Sequence, residues 1–578
     1  MSSRRRRRCR SCVVVAVVAA LLVVACDGAQ EQVAPPESPV DAPDVEVEPE
    51  PAPDDDPDDL GEPPVEPDEP DEPTVDPPEA YGVSAGHPDA VDAGMVVLEQ
   101  GGTAADAAVA AAMASGVVEP FTSGLGGGGA ALVLEPGEEP RAYDYRDVVP
   151  DGGIPASNTG VPGFVAGMEQ LREQHGVLGF DELLAPSIEL AEGATVSELV
   201  AERLAADAGS LPTGQLDHLY PGGAALTAGE TMVQEELADT LRTLAHDGAD
   251  AFYDGPLAEE LAASVDGLDP ASLAAYEVRS ATPPSGTVGD VEVIGAAPPL
   301  PGTSLIQQLQ LAETLGLDEL DPGTGDFVHA LGASWRIALH HQEWQLGDPE
   351  VVDVPVGDLT DPARNAEVAD AYGLALDALP PVDLSAPPEE GDPNTTHITV
   401  VDAEGTMVSM TNTITNFWGS RGYALGFFLN DHLRRFDLGQ GEVNQPAPGR
   451  RPVTWSLPVI VADAEGRPVL GLGSPGGARI PNVLAATIAR WALHGESLEE
   501  TVAAPRFHVE GTSVDVESGY LGLRDDLLAR GWAEVTEPPG RLYFGSVQAL
   551  EVDYDAGELR GATDGRREAD HRIESTGP

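Results

Sequence analysis

Two short runs in the second half of the chain, Ile398 to Val401 and Met407 to Thr413, alternate apolar with polar or hydroxyl residues, and Asp402-Ala403-Glu404-Gly405 lies between them. A period of two reads as a strand with one face toward a core, and the Asp/Gly tetrapeptide is turn chemistry. The segment therefore predicts a β-hairpin whose mouth opens at Asn394-Thr395-Thr396-His397. Asp-Ala-Glu-Gly recurs at 463–466 between two further alternating runs, which predicts a second hairpin rather than a solenoid repeat. From Gly160-Val161-Pro162-Gly163 to about Pro380, Ala, Leu and Glu recur at helical spacing, as in Asp181 to Ala191, and predict core-facing helices. Gly101-Gly102-Thr103 opens a run of small residues from Ala104 to Met113, read as a helix able to pack closely. The loop Gly124 to Gly129 formally matches G-x-G-x-x-G. It precedes strands around 130–134 and 142–145 instead of opening a helix, so a dinucleotide site is not expected.

The N-terminus reads differently. An arginine run, Arg4 to Arg8, precedes an apolar stretch from Val13 to Ala25, which is too short for a comfortable bilayer span and has the form of a signal peptide over residues 1–25. Val23-Val24-Ala25-Cys26 resembles a bacterial lipobox, which implies cleavage before Cys26, acylation of its thiol, and export to the cell envelope on a lipid anchor, periplasmic or at the surface. The three cysteines are Cys9, Cys12 and Cys26, so no disulfide is expected in the mature protein. Residues 26–79 are almost entirely Pro, Asp, Glu, Val and Ala after the cysteine, a composition expected to form a disordered spacer. The chain carries 99 acidic residues against 30 basic ones, all arginine, for a formal charge of −69, which argues against nucleic acid as a partner. Such acidity suits a saline habitat; arginine without lysine equally suits a GC-rich genome.

Asn394-Thr395-Thr396-His397-Ile398-Thr399-Val400-Val401-Asp402 resembles the processing site of the γ-glutamyltransferase (γ-glutamyl transpeptidase) family of N-terminal nucleophile hydrolases. The resemblance implies self-cleavage between Asn394 and Thr395, a large-subunit part over 80–394 and a small-subunit part over 395–578. It makes the Thr395 hydroxyl the nucleophile and its freed α-amine the base; an unperturbed α-amine pKa of about 7.7 to 8.0 leaves a useful neutral fraction near pH 7. Further resemblances are the block through Gly124–Gly129, Asp144-Tyr145-Arg146-Asp147, Leu273-Ala274-Ala275-Tyr276, Leu346-Gly347-Asp348-Pro349, Gly473-Ser474-Pro475-Gly476-Gly477 and Ala503-Ala504-Pro505-Arg506-Phe507-His508. They imply a substrate-carboxylate arginine at Arg146, a second hydroxyl beside the nucleophile at Thr413, and an oxyanion hole from the Gly476 and Gly477 N–H groups. The fold implied is a four-layer α-β-β-α sandwich with antiparallel sheets between helices.

Departures fall on substrate recognition. In the run Leu429 to Phe436, Arg434 and Arg435 replace the family's acidic pair and His432 replaces a glutamine; Thr415 stands for an asparagine, and Thr454-Trp455 for a pair of serines. The resemblance implies hydrolysis or transfer of γ-glutamyl amides such as glutathione, with water or an amine as acceptor. The departures add an alternative, an acylase for glutaryl-like or N-blocked glutamyl amides. An uncleaved, non-catalytic surface lipoprotein is the third reading. No cofactor is expected. His340-His341 with Glu343 lacks the i, i+4 histidine pair of a zinc helix, so no metal is expected either.

Overall fold

The computed structural model describes residues 78–384, 393–437 and 443–577. The signal sequence, Cys26 and the spacer up to residue 77 lie outside the described residues. Pro78 is buried, and the Glu79 carbonyl accepts the Thr576 N–H, so these last two residues of the segment assigned to the spacer belong to the folded body.

Two antiparallel sheets stack face to face. The first has seven strands in the order Asp570–Ser575, Ala80–Ala85, Thr396–Val401, Met407–Thr413, Gly128–Leu134, Arg141–Asp144 and Arg279–Ala281. The second has six, in the order Glu558–Ala562, Gln548–Asp553, Pro468–Gly473, Val459–Ala462, Val291–Gly295 and Ser285–Val288. Both hairpins read from the sequence form, with Val401 opposite Met407 in one and Val459 opposite Leu472 in the other. Gly405 and Gly466 sit in the turns at φ +86° and +78°, a region that glycine enters without a Cβ clash.

Strand alternation divides the cores. Val401, Met407, Leu132 and Leu134 of the first sheet meet Ile294, Ile460, Leu550 and Val552 of the second, forming the layer between the sheets. Their neighbours Ile398, Val400, Val408 and Met410 point the other way, into a cluster with helices Pro88–Glu99 and Ala104–Val118. On the far side, Val293, Val459, Val461, Leu470 and Leu472 pack with helices Gly302–Glu313, Gly325–Gln345 and Ile480–His494. The result is the α-β-β-α order expected from the sequence.

The small-residue helix Ala104–Val118 is buried along its whole length, and Thr103 and Asp106 close a capping box at its start. Its first N–H is met from another element: Asp402, in the hairpin turn, accepts from Ala104 N at 2.9 Å. The middle of the chain is not purely helical as its spacing suggests. Arg279–Ala281, Ser285–Val288 and Val291–Gly295 are strands, and the last two begin the second sheet in sequence order. Each is only three to five residues long, too short for alternation to stand out among Pro and Gly. Among the described residues no helix is long and apolar enough to cross a membrane.

Candidate active site

Asn394 and Thr395 precede the strand Thr396–Val401, at the edge where the hairpin opens. Their backbone is held from the strand opposite. Asn394 N–H donates to the Thr415 carbonyl at 2.9 Å, and Pro393 bridges Asn416. The Thr413 hydroxyl donates to the Asn394 carbonyl at 2.8 Å and itself accepts from the Thr415 N–H at 2.8 Å. In the uncut chain the second hydroxyl therefore engages the carbonyl of the expected scissile bond. Thr415 reaches its place at φ +86°, rare for a β-branched residue, and acts on this bond through its backbone rather than its buried side chain. Thr395 itself is 6% exposed.

Sheet stacking brings the glycine turn to the same end. A Cβ on Gly473 would lie 2.2 Å from the ring of His397, and one on Gly471 would lie 2.7 Å from the Thr399 side chain, so the two strand ends touch where Gly473 gives way to Ser474-Pro475-Gly476-Gly477. Gly476 has φ +138° and Gly477 φ +59°, both in the region that disfavours side chains. Among the described residues neither N–H donates a hydrogen bond. The Ser474 hydroxyl fixes the turn from within, donating to the Pro475 carbonyl and accepting from Ser546 N–H. His397 is a spacer between sheets: it contacts Thr411 at 2.8 Å and Thr399 at 3.2 Å, and burial lowers its pKa to about 3, so it is neutral.

The residues expected to bind substrate divide into an inner and an outer set. Arg146 is fully buried, with Nε and Nη2 forked onto Asp144 at 2.9 and 2.6 Å and Nη1 on the Pro452 carbonyl at 2.6 Å. Burial alone would raise the Asp144 pKa, but Arg146 and Arg451 outweigh it and hold it near 2. Through Pro452 the arginine is tied to the run that carries Thr454, which is buried, and Trp455, whose ring lies 6.2 Å from that of Trp335 at a tilt of 58°. His432 is also fully buried. Its Nδ1 lies 3.2 Å from Asp147 Oδ2 without the alignment of a hydrogen bond. Burial pushes His432 down to about 3, so the imidazole is neutral near pH 7, and it raises the Asp147 carboxyl well above the usual range.

In the outer set, Asp431 accepts from Asn416 N and Nδ2 at 3.3 and 2.6 Å and from Arg434 at 3.1 Å, so its carboxylate is committed. Arg435 is 4% exposed, and burial together with the charge of Arg479 lowers its pKa to about 9. Arg479 in turn donates to the Gly476 carbonyl at 3.2 Å and lies 4.2 Å over the Tyr543 ring, which links Arg435 to the glycine turn. A cavity of about 400 Å³ opens beside Asn416 and Asp431, with Arg203, Arg421 and Arg434 on its walls. Arg203 is seated over Phe417 at 3.8 Å and paired with Asp207, which also accepts from Trp418 Nε1.

Sequence reasoning missed Arg479, Asn416, Glu119 and Arg567. Arg479 carried a usable signal, two residues beyond the glycine pair. The other three are placed near residues 393–396 by tertiary contacts: Asn416 bridges Pro393, Arg567 donates to the Asn394 side-chain oxygen, and Glu119 lies with Thr396 against Gly86. The two adjacent histidines of helix Gly325–Gln345 are engaged locally, His340 with the Asp383 carbonyl and His341 with Gln307.

Comparison with known proteins places this geometry. The family described as Gamma-glutamyltranspeptidase matches residues 90–573. The capsule biosynthesis protein CapD proenzyme of Bacillus anthracis is 35% identical over 490 residues, covering 84% of this chain and 89% of that relative. The glutathione hydrolase proenzyme of Bacillus subtilis (strain 168) is 29% identical over 532 residues, covering 84% and 90%. The crystal structure of a cephalosporin acylase from Bacillus halodurans superposes with a TM-score of 0.77 at 24% identity, covering 88% of this chain and 98% of that one, and shares the fold. The chain is an enzyme that belongs to the γ-glutamyltranspeptidase family.

Proposed function

We propose that the protein is an autoprocessed threonine-nucleophile amidase and acyltransferase, cleaving γ-glutamyl amides such as glutathione or closely related acyl amides. In the first reaction the Thr395 oxygen attacks the Asn394 carbonyl carbon. A C–O bond forms, the C–N bond breaks, and the hydroxyl proton ends on the new α-amine. Water then hydrolyses the ester, leaving the Asn394 carboxylate and restoring the hydroxyl. In turnover the α-amine takes the Thr395 proton as the hydroxyl attacks the substrate amide, the Gly476 and Gly477 N–H groups stabilise the oxyanion, and water or an amine receives the acyl group. The observation that carries this reading is the Thr413 hydroxyl on the Asn394 carbonyl at 2.8 Å, because it polarises the bond that must break. N-terminal sequencing after incubation at neutral pH tests it: a new chain should begin at Thr395, and Thr395→Ala should stay whole. An intact wild type would refute the assignment.

A second reading of the acyl donor is favoured by the arginines. With the Asp431 carboxylate committed to Asn416 and Arg434, and Arg435 and Arg479 together near the glycine turn, a free α-ammonium meets cations where the family offers acids. Donors carrying a carboxylate or a blocked amine there, such as glutaryl or N-acylglutamyl amides, fit this charge better. The lipobox and acidic spacer support export to the cell envelope on a lipid at Cys26. Cys26→Ser should move the protein from the detergent phase to the aqueous phase, and an unchanged partition would reject that anchor.

A further inference from the structure

We propose that Glu119 and Arg567 form a buried seat for the Asn394 carboxamide and thereby position the Asn394–Thr395 bond for self-cleavage. The inference rests on the reading of Thr395 as the self-cleaving residue and goes beyond it, since neither residue belongs to the motifs that suggested that reading. Arg567 donates through Nη1 to the Asn394 side-chain oxygen and through Nη2 to the Leu542 carbonyl at 3.4 Å. Asn394 is fully buried and Glu119 is 3% exposed. On the other side of Thr395 the same carboxyl meets the next residue. A Cβ built on Gly86 would lie 2.8 Å from the Thr396 hydroxyl and 3.0 Å from Glu119 Oε2, so both oxygens occupy the space that a side chain at position 86 would fill. Asn394, before the bond, is thus held by Arg567, and Thr396, one residue past Thr395, lies beside Glu119.

Two atoms in this seat lack partners: Glu119 Oε2 and Asn394 Nδ2 are both buried without a hydrogen bond. Buried polar atoms are nearly always satisfied, and an orphan donor and an orphan acceptor in one seat are not explained by stability. They are consistent with a site built to hold a bond that will be cut. The charged groups acting on Glu119 are Arg567 and Glu568, and Glu568 in turn acts on His87, which also feels Asp89. Burial chiefly, opposed by Arg567 and reinforced by Glu568, raises the Glu119 pKa to about 7. A protonated Glu119 leaves the Arg567 charge to Asn394; an ionised Glu119 competes for it and loosens the seat.

The test follows self-cleavage of the full chain on gels. Arg567→Gln and Asn394→Ala should each slow cleavage at least tenfold. The double variant should be no slower than either single one, because both remove the same contact. Arg567→Lys should recover part of the rate. Glu119→Gln, which is isosteric and mimics the protonated acid, should match wild type at pH 5.5 and exceed it severalfold at pH 8.5. That pH-dependent ratio is a readout that a purely structural role would not move. Wild-type rates in the single variants, multiplying effects in the double variant, or a Glu119→Gln ratio constant with pH would overturn the seat. Should wild type not cut before Thr395 at all, the nucleophile assignment fails instead.

Discussion

The Thr413 hydroxyl donates to the Asn394 carbonyl from the neighbouring strand, and its own orientation is set by the Thr415 N–H that donates to it. A hydroxyl has one proton, and here an incoming donor occupies a lone pair and leaves the proton aimed at the carbonyl. Thr413→Ala should therefore slow self-cleavage by roughly 10² to 10³, the range for loss of one oxyanion donor, while Thr413→Ser stays within about tenfold. Cleavage time courses measure this. An alanine variant that cuts at the wild-type rate would show that the bond is incidental.

The acyl preference is tested by kcat/KM for matched γ-glutamyl and glutaryl anilides. An α-ammonium about 4 Å from one arginine, at an effective dielectric near 20, meets roughly 4 kcal/mol of repulsion, or about a thousandfold in rate. Wild type should prefer the glutaryl compound, and Arg435→Asp should shift the ratio toward γ-glutamyl. A strong wild-type preference for γ-glutamyl that the variant leaves unmoved would remove Arg435 from substrate recognition.

Stability should fall on acidification. His397, His432 and His508 are each lowered by burial to about 3, below the 6.5 of an unfolded histidine. Between those values the unfolded chain binds more protons than the folded one, so the stability present above pH 6.5 is lost as pH falls toward 3. Glu119 has the opposite sign: its pKa is raised from 4.5 to about 7, and its contribution is lost as pH rises through that window. Urea midpoints should drop from pH 6.5 to pH 4, and Glu119→Gln should gain on wild type at pH 8 but not at pH 4. A midpoint that rises toward pH 4 contradicts the histidine assignment.

Gly473→Ala should destabilise the protein by about 1 to 3 kcal/mol, the usual cost of overpacking, because its methyl would lie 2.2 Å from His397 Nδ1. The ring cannot swing away without breaking its contacts to Thr411 and Thr399. Thermal unfolding measures the loss. An unchanged Tm would mean that the sheets are free to part at this edge.

What was legible in the sequence was local. The hairpin at Thr396–Thr413 was readable because alternation and an Asp/Gly turn coincide, and the glycine pair at 476–477 because its conformations exclude other residues. The layered architecture came through resemblance, since periodicity does not say which sheet a strand joins. Strands 279–295 were missed because they are short and lie amid helices. Arg567 was missed because its partner Asn394 is 173 residues away, and one arginine among thirty has no local mark of its task. The recognition run was located, but that Asp431 is spent on Asn416 and Arg434 depends on a neighbouring loop.

The order of strands gives the cut an unusual mechanical meaning. In the first sheet Ala80–Ala85 lies between Asp570–Ser575 and Thr396–Val401, and in the second Val291–Gly295 lies beside Val459–Ala462. Pieces on either side of residue 394 are thus laced through both sheets, and parting them means unzipping ladders in the middle of the molecule. Breaking the bond would create a new chain end without creating a new body. The two fragments should co-purify without any covalent link, melt together in one transition, and fail to reassemble from separately unfolded halves unless both sheets are rebuilt at once.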